Sequence, residues 1–307
     1  LQCDFLSFGS EQGDITPFLN TYELLEAHND KLQENIKRFV KTGLSYPQAL
    51  NTAYQQLLSD TELTYADLTK PNNILGYHYV ENIKKYNTNI KPITIQRIQA
   101  GYHEKIDNGK TIASATGIRQ EIQEKHSLQS VTSFLPKSSL QTLTEWHEDF
   151  KHFASWELFW PYLRFSILRL SPEQIALYAE VTEGIEFSII QAAKECNDFN
   201  SFMHKVKSKR YTWTRIQRML THIFTNFTWQ QLHSSNKPSY IRLLGMSKNG
   251  QHYLSERKKL FTLPVISRVA SSSDSMLLQD IHATDLYMLA LGKNKMGMDY
   301  KIPPIRY

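Results

Sequence analysis

The chain has 307 residues, of which 41% are hydrophobic and 21% charged, a composition typical of globular proteins and long enough for two domains. It has no run of about 18 uncharged apolar residues, so the sequence predicts no membrane span. The two cysteines, Cys3 and Cys196, lack metal-type spacing, which favours a reducing, cytoplasmic compartment and excludes a disulfide framework.

The first part of the chain alternates strand and helix signals. It begins with neither Met nor a signal-peptide pattern, and CDFLSFGSE is typical of a strand that runs into a glycine turn. We therefore expect the chain to be a fragment that begins within a core strand. Helices are predicted at about 16–29, 31–42 and 46–59.

Further elements follow in the same alternation. The run KPNNILGYHYVENIKKY predicts a helix with Asn72 or Asn73 as its N-cap, and IKPITIQRI predicts a strand. A polar loop over residues 100–111 precedes another predicted helix, which starts after Ser114. Strands that alternate with helices indicate a parallel α/β sheet.

The rest of the chain has a different pattern. Residues 139–235 are predicted to be helical, with Trp146, Trp156 and Trp160 in the core, and a mixed tail starts with the strand-like SYIRLLGM. The sequence thus predicts three domains, with the bounds 1–135 for an α/β domain, 136–235 for a helical domain and 236–307 for an extension packed on the others.

Charge is distributed unevenly along the chain. The 57 residues from Phe199 to Ser255 contain nine Lys or Arg and no Asp or Glu, whereas the rest of the chain carries 26 basic and 30 acidic residues. Such an imbalance indicates a polyanionic partner rather than a feature of the fold.

The stretch TIASATGIRQEI has two interpretations. A helix N-terminus presents unpaired N–H groups, so the hydroxyls of Ser114 and Thr116 and the charge of Arg119 would suit a bound phosphate. The alternative is an ordinary serine cap with a surface arginine, and spacing alone favours this alternative. Gly9, Asn72 and Arg97 also lie at predicted strand or helix ends, where α/β proteins bind ligands.

Several strings together resemble a known family. FGSE, KPNNILGYHYVENIKK, IKPITIQRIQAGYHE, IASATGIR, EGIE, KSKRYTWTRIQR and YIRLLGMSKNG occur in the order seen in bacterial tRNA(Met) cytidine acetate ligases. The resemblance implies a Rossmann-like nucleotidyltransferase domain of the HIGH superfamily, incomplete at its N-terminus, followed by a mainly α-helical tRNA-binding domain. It also implies activation of acetate with ATP, and acetylation of the wobble cytidine of elongator tRNA(Met) at N4.

Residue roles carry over from the same resemblance. The implied ATP-binding residues are Gly9, Asn72 (rather than Asn73), Arg97 and Ile98. The implied catalytic residues, which would hold ATP phosphates together with Mg²⁺, are Ser114, Thr116 and Arg119 of an (I/S)SxTxIR-like signature.

One departure from the superfamily pattern concerns histidine. None of the eleven histidines lies in a His-x-Gly-His string, which the superfamily carries in its first strand–loop–helix. The resemblance therefore implies that this segment is absent from the chain, and we expect the chain alone to be inactive.

The basic segment fits a tRNA-binding role. We predict that tRNA is bound by Lys205, Lys207, Lys209, Arg210, Arg215 and Arg218. Tyr211 and Trp213 are candidates for stacking on bases, although core packing is favoured for Trp213. The alternatives are a cofactor-type nucleotidyltransferase, which would not bind tRNA, and a non-catalytic RNA-binding module, which would not bind ATP.

Overall fold

The computed structural model describes residues 3–44, 46–58, 63–98, 112–234, 237–293 and 295–307. Two compact units divide the chain, residues 3–145 and residues 146–307. The division falls ten residues beyond the predicted end of the first domain, and the three predicted domains stay a prediction. The predicted loop over residues 100–111 lies outside the described residues.

The first unit has the predicted alternation of strands and helices. Its elements are β1 (Phe5–Ser10), α1 (Thr16–Ala27), α2 (Asn29–Lys41), α3 (Tyr46–Leu57), α4 (Pro71–Lys85), β2 (Lys91–Gln96), α5 (Ala115–Lys125), a 3₁₀ helix (Gln129–Phe134) and α6 (Lys137–Phe150), which continues past the division. Both ends of each of the first three predicted helices lie within two residues of the observed ends.

Strands β1 and β2 pair in parallel, as the alternation predicts. Gly9 lies opposite Ile95 and Ser10 opposite Gln96, so both strands end at the same edge. The crossover between them includes helices α1 to α4, and a helical crossover is the usual connection of parallel neighbours. The α/β fold class predicted for this part of the chain is confirmed.

Helix α4 packs closely on β1 through a glycine. A Cβ added at Gly76 would overlap the ring of Phe8, and it would lie 3.1 Å from the Phe18 ring. Phe8 and Phe18 meet edge to face in the core of this unit, with centroids 5.4 Å apart. Gly76 therefore sets how near α4 comes to the strand, and Asn72 lies one turn earlier on the same helix.

The prediction that an asparagine caps α4 is wrong. The N-cap is Lys70, whose side chain makes no capping bond, and Pro71 occupies the first turn. Proline suits that position because its fixed φ matches the helix and its missing N–H would be unpaired there anyway. Asn72 and Asn73 thus lie inside the first turn, where their N–H groups need partners from elsewhere.

The second unit is mainly helical in its first part, as predicted. Its elements are α7 (Trp156–Leu168), α8 (Pro172–Ile175), α9 (Ile185–Glu195), α10 (Phe199–Val206), α11 (Trp213–Phe224), α12 (Trp229–Ser234), β3 (Ile241–Arg242), β4 (Gly245–Met246), α13 (Lys248–Arg257), β5 (Val265–Ile266), α14 (Ser275–Ala290), α15 (Met298–Lys301) and β6 (Ile305–Arg306), with 3₁₀ helices at Lys258–Leu260 and Val269–Ser271.

Aromatic residues dominate the core of the second unit. Trp160 is buried against Phe202, and Trp156 stacks on Phe199 at 4.8 Å, which confirms their predicted core role. Short parallel pairs, β3 with β5 and β4 with β6, follow the helices. The predicted sequence of a helical part and a mixed tail is confirmed.

Two predictions from the composition concern disulfides and membrane-spanning helices. Cys3 is exposed and Cys196 buried, and neither forms a disulfide. Among the described residues, no helix combines the length and apolar character needed to cross a membrane.

Candidate nucleotide site and candidate nucleic-acid surface

A cavity of about 380 Å³ opens at the ends of β1 and β2 beside the first turn of α4. Gly9, Asn72 and Arg97, three of the four predicted ATP-binding residues, line it together with Leu75 and Tyr79. Gly9 and Asn72 are 63 residues apart in the sequence, and Asn72 and Arg97 are 25 apart, yet all three line one cavity. Ligands are expected at such a place, at the carboxyl ends of parallel strands.

The two strand ends position Gly9 and Arg97. The backbone N–H of Arg97 donates to the carbonyl of Ser10 over 2.8 Å and so continues the parallel ladder past β2. The stem of Arg97 lies over Gly9, where an added Cβ would be 3.5 Å from its Cγ. That distance is ordinary contact, so a side chain at Gly9 would take up cavity space without a clash inside the protein.

A tight turn follows β1. The Ser10 hydroxyl accepts from the Gly13 N–H at 2.9 Å and lies within hydrogen-bond distance, 2.8 Å, of the Thr94 hydroxyl, and Ser10 is fully buried. Gly13 has φ +72°, and a Cβ there would lie 2.6 Å from Cβ of Gln96. This turn is thereby fixed to both strands, and it carries Glu11 to the start of α4.

Glu11 supplies the partners that the first turn of α4 lacks. Its carboxylate accepts from the N–H of Asn73 at 3.0 Å, from the N–H of Asn72 at 3.4 Å and from the side-chain amide of Asn72 at 2.7 Å. An anion at this position is favoured by the positive end of the helix dipole. Sequence reasoning missed Glu11, although it belongs to the FGSE string.

Asn73 has a structural role, which supports the choice of Asn72 for ligand binding. Asn73 is 2% exposed, its side-chain oxygen accepts from the Glu11 N–H at 3.0 Å, and its amide donates to the Asp67 carbonyl at 3.1 Å. Both ends of its side chain are therefore committed to the fold.

The remaining predicted residues of the ATP site are not among those that line the cavity. Ile98 is 61% exposed just beyond β2. Ser114 is the N-cap of α5, and its hydroxyl accepts from the Gly117 N–H at 3.0 Å, as the capping interpretation requires. Thr116 is half-buried in the first turn and Arg119 is exposed. The capping bond is thus observed, and the phosphate role of this helix end stays a prediction.

The described residues contain no cluster of side chains that could by itself ligate a metal ion. No group of three or more His, Cys, Asp or Glu side chains in the described ranges is placed to hold an ion. Magnesium in nucleotide sites is held largely by phosphates and water. The Mg²⁺ prediction stays a prediction.

In the second unit, the predicted basic residues lie on α10, on α11 and between them, and both helices bury residues in the same core. Helix α11 buries an apolar stripe made of Ile216, Met219, Leu220 and Ile223. Thr212 caps the helix by accepting from the Arg215 N–H at 3.3 Å. Trp213 packs against the core, as favoured from the sequence.

The proposal that Tyr211 stacks on bases is wrong. Tyr211 is 5% exposed, and its hydroxyl donates to the Thr182 carbonyl at 2.8 Å. Burial raises the pKa of this phenol, which therefore stays protonated and keeps that bond. The guanidinium of Arg215 lies over its ring at 4.8 Å, so the ring face is covered by a cation of the protein itself.

The six predicted tRNA-binding cations fall into two groups. Lys205 pairs with Glu195, and Arg218 pairs with Glu180 at 2.7 Å, while Arg215 is tied to Tyr211 and to the Thr182 hydroxyl. Within the described ranges, the exposed residues Lys207, Lys209 and Arg210 have no acidic partner. We call the stretch of residues 207–210 the basic loop. Sequence reasoning missed both glutamates because they lie before the acid-free segment.

His222 shares the face of α11 that carries the arginines but adds little charge. Burial lowers the pKa of His222, and the nearby Arg218 acts in the same direction, while Glu180 opposes it. The ring is therefore mainly neutral at pH 7.

Comparisons with known proteins agree with this fold. A family model described as HIGH Nucleotidyl Transferase matches residues 1–300. The tRNA(Met) cytidine acetate ligase of Lysinibacillus sphaericus is 54% identical over 99% of this chain and 76% of its own length, and that of Halalkalibacterium halodurans is 39% identical over 100% and 75%.

The crystal structure of Thermotoga maritima TmcAL bound with alpha-thio ATP superposes with a TM-score of 0.82 over 98% of this chain and 76% of that one. At 24% identity this likeness establishes the fold. The chain therefore belongs to the HIGH nucleotidyltransferases and, among them, to the family of tRNA(Met) cytidine acetate ligases. The family predicted from the sequence strings is confirmed, and the expectation of an absent N-terminal segment stays a prediction.

Proposed function

We propose that the protein activates acetate with ATP and transfers the acetyl group to N4 of the wobble cytidine of elongator tRNA(Met). The observation that carries this proposal is the meeting of Gly9, Asn72 and Arg97 around one cavity at the strand ends. The 54% identity to a ligase of that name supports the same reaction and substrates.

The first step needs positioning and charge neutralisation more than a protein nucleophile. A carboxylate oxygen of acetate attacks the α-phosphorus of ATP, the bond to the bridging oxygen breaks, and pyrophosphate leaves. Arg97 lines the cavity with a permanent positive charge and is suited to hold the phosphate chain. Ser114, Thr116 and Arg119 at the start of α5 would hold further phosphate oxygens.

In the second step the amine at N4 of cytidine attacks the carbonyl carbon of acetyl-adenylate. The bond from that carbon to the phosphate oxygen breaks, AMP leaves, and N4 gives up one proton. The base must be unstacked to reach the mixed anhydride, which is easiest in the single-stranded anticodon loop.

The basic loop is the part of the second unit best suited to tRNA. Its three cations, Lys207, Lys209 and Arg210, are exposed and without acidic partners among the described residues, so a phosphate need not displace a carboxylate. Arg215 and Arg218 contribute less in this proposal because each already has a partner. We place nucleotide binding in residues 1–135 and tRNA binding in residues 136–235.

The test is to incubate the full-length protein with ATP, isotopically labelled acetate and elongator tRNA(Met), and to digest the tRNA for nucleoside mass spectrometry. We expect labelled N4-acetylcytidine only when all three substrates are present. Binding of tRNA without any acetylcytidine would contradict the ligase proposal and favour a non-catalytic RNA-binding protein. Consumption of ATP with a small phosphate ester, but not with acetate, would favour a cofactor nucleotidyltransferase.

A further inference from the structure

We propose that Glu11 is a positioning residue, which turns the side chain of Asn72 so that its amide oxygen faces the nucleotide cavity. Asn72 would then bind a hydrogen-bond donor on the nucleoside part of ATP and not a phosphate. The inference rests on the proposed function, because it describes how the same cavity receives ATP.

The contacts of Glu11 define how Asn72 is held. One carboxylate oxygen accepts from the Asn72 side-chain amide at 2.7 Å and from its backbone N–H at 3.4 Å, and the other accepts from the Asn73 N–H at 3.0 Å. The N–H of Glu11 in turn donates to the Asn73 side-chain oxygen at 3.0 Å. Four bonds therefore join the turn after β1 to the first turn of α4.

The orientation of the Asn72 amide follows from chemistry. An ionised carboxylate accepts hydrogen bonds and donates none, so only the NH₂ end of the amide can face Glu11. The oxygen end is left with no hydrogen-bond partner among the described residues, and Asn72 lines the cavity. The side chain thus offers an acceptor to whatever occupies that space.

An acceptor selects one part of ATP. Ionised phosphate oxygens only accept, so they cannot bond to the Asn72 oxygen. The donors on ATP are the 6-amino group of adenine and the hydroxyls of ribose. We therefore assign the Asn72 side of the cavity to the nucleoside, which leaves the charged Arg97 for the phosphates.

The first test compares nucleotides that each lack one donor. Dissociation constants are measured by calorimetry for ATP, for the triphosphate of purine riboside, which lacks the 6-amino group, and for the 2′-deoxy and 3′-deoxy forms of ATP. We expect one of the three analogues to bind roughly tenfold more weakly than ATP, the effect of one lost hydrogen bond. In Asn72→Ala, that analogue and ATP should bind equally. The analogue that loses affinity identifies the donor.

The second test places Glu11 in a double-mutant cycle with Asn72. In Glu11→Gln the new amide can donate, which lets the Asn72 side chain turn its NH₂ end towards the cavity. We expect this variant to weaken ATP binding roughly tenfold when Asn72 is present, and to have no further effect in Asn72→Ala. The matched control is Glu81→Gln, which removes a half-exposed carboxylate from helix α4 outside the cavity lining and should leave ATP affinity unchanged.

Several results would overturn the inference. They are equal affinity for ATP and all three analogues, an analogue effect that persists in Asn72→Ala, or a Glu11→Gln effect of the same size with and without Asn72. The analogue series on the unsubstituted protein and on Asn72→Ala still tests the acceptor role of Asn72, and can overturn the inference, even if Glu11→Gln does not fold. A protein that binds no ATP at all would instead contradict the proposed function.

Discussion

The two units differ in how they would recognise a ligand. Residues 146–307 contain 21 Lys and Arg and 14 Asp and Glu, whereas residues 1–145 contain 14 and 16. The first unit builds its cavity from hydrogen bonds and close packing, with one arginine among the residues that line it. The second unit presents cations on an exposed loop. Affinity should therefore depend on geometry in the first unit and on ionic strength in the second.

The largest effect is expected at Arg97. Arg97→Ala removes the charge that we propose for phosphate binding, so kcat/KM for ATP should fall roughly 10- to 100-fold, as for the loss of a charged hydrogen bond. Binding of tRNA should be unchanged in a filter assay, because the variant does not alter the second unit. Arg38→Ala, in the same unit but not among the residues that line the cavity, is the matched control. Equal losses in both variants would count against the site.

Packing of α4 on β1 gives the next effect. Gly76→Ala should destabilise the protein by about 1–3 kcal/mol, because the added methyl overlaps the Phe8 ring. Alanine normally stabilises a helix relative to glycine. Gly250→Ala in α13, where the new Cβ would be 3.4 Å from Met246, should therefore be neutral or stabilising. Urea denaturation measures the free energy of unfolding of both variants. If Gly76→Ala unfolds with the same free energy as the unsubstituted protein, α4 does not approach β1 as closely as described.

The basic loop should determine the salt dependence of tRNA binding. Lys209→Ala with Arg210→Ala should weaken binding roughly tenfold and reduce the slope of log K against log salt by about 1.5 to 2, which corresponds to two lost phosphate contacts. Lys258→Ala with Lys259→Ala removes the same charge from another exposed pair of this unit. If both double variants change the slope equally, net charge rather than the position of the loop decides binding.

The smallest effect concerns the ion pair between Glu180 and Arg218. Glu180→Gln frees the guanidinium, so affinity for tRNA should rise roughly twofold to threefold at low salt, in keeping with the modest strength of exposed pairs. Glu186→Gln changes the net charge equally without touching Arg218 and should have less effect. Weaker binding in Glu180→Gln would mean that this pair holds α11 in place rather than masking a charge.

Local sequence patterns predicted the elements better than the contacts between them. The strands at FLSF and IKPITIQRI and the helix after Ser114 were predicted from short stretches of sequence, and all three are observed. The sequence correctly predicts Asn72 near the N-terminus of α4. Its expected role as N-cap is wrong because the helix begins at Pro71.

The missing information was long-range. Glu11 reaches Asn72 across 61 residues, and Glu180 reaches Arg218 across 38, so no window of sequence contains both partners. The acid-free segment suggested six available cations, while the fold brings glutamates from before that segment to two of them. Composition predicts the charge of a region, and tertiary contacts decide which charges remain available.

The parallel pairing of β1 with β2 also bears on the order in which the first unit folds. The hydroxyl of Thr94 donates to the carbonyl of Phe8 across 86 residues, so closing this sheet requires a long loop to be ordered first. The core of the second unit instead joins helices that are close in sequence, such as α9, α10 and α11. We expect the cavity edge to be among the last parts to form, and a bound nucleotide to slow hydrogen exchange most at the amides of β1 and β2.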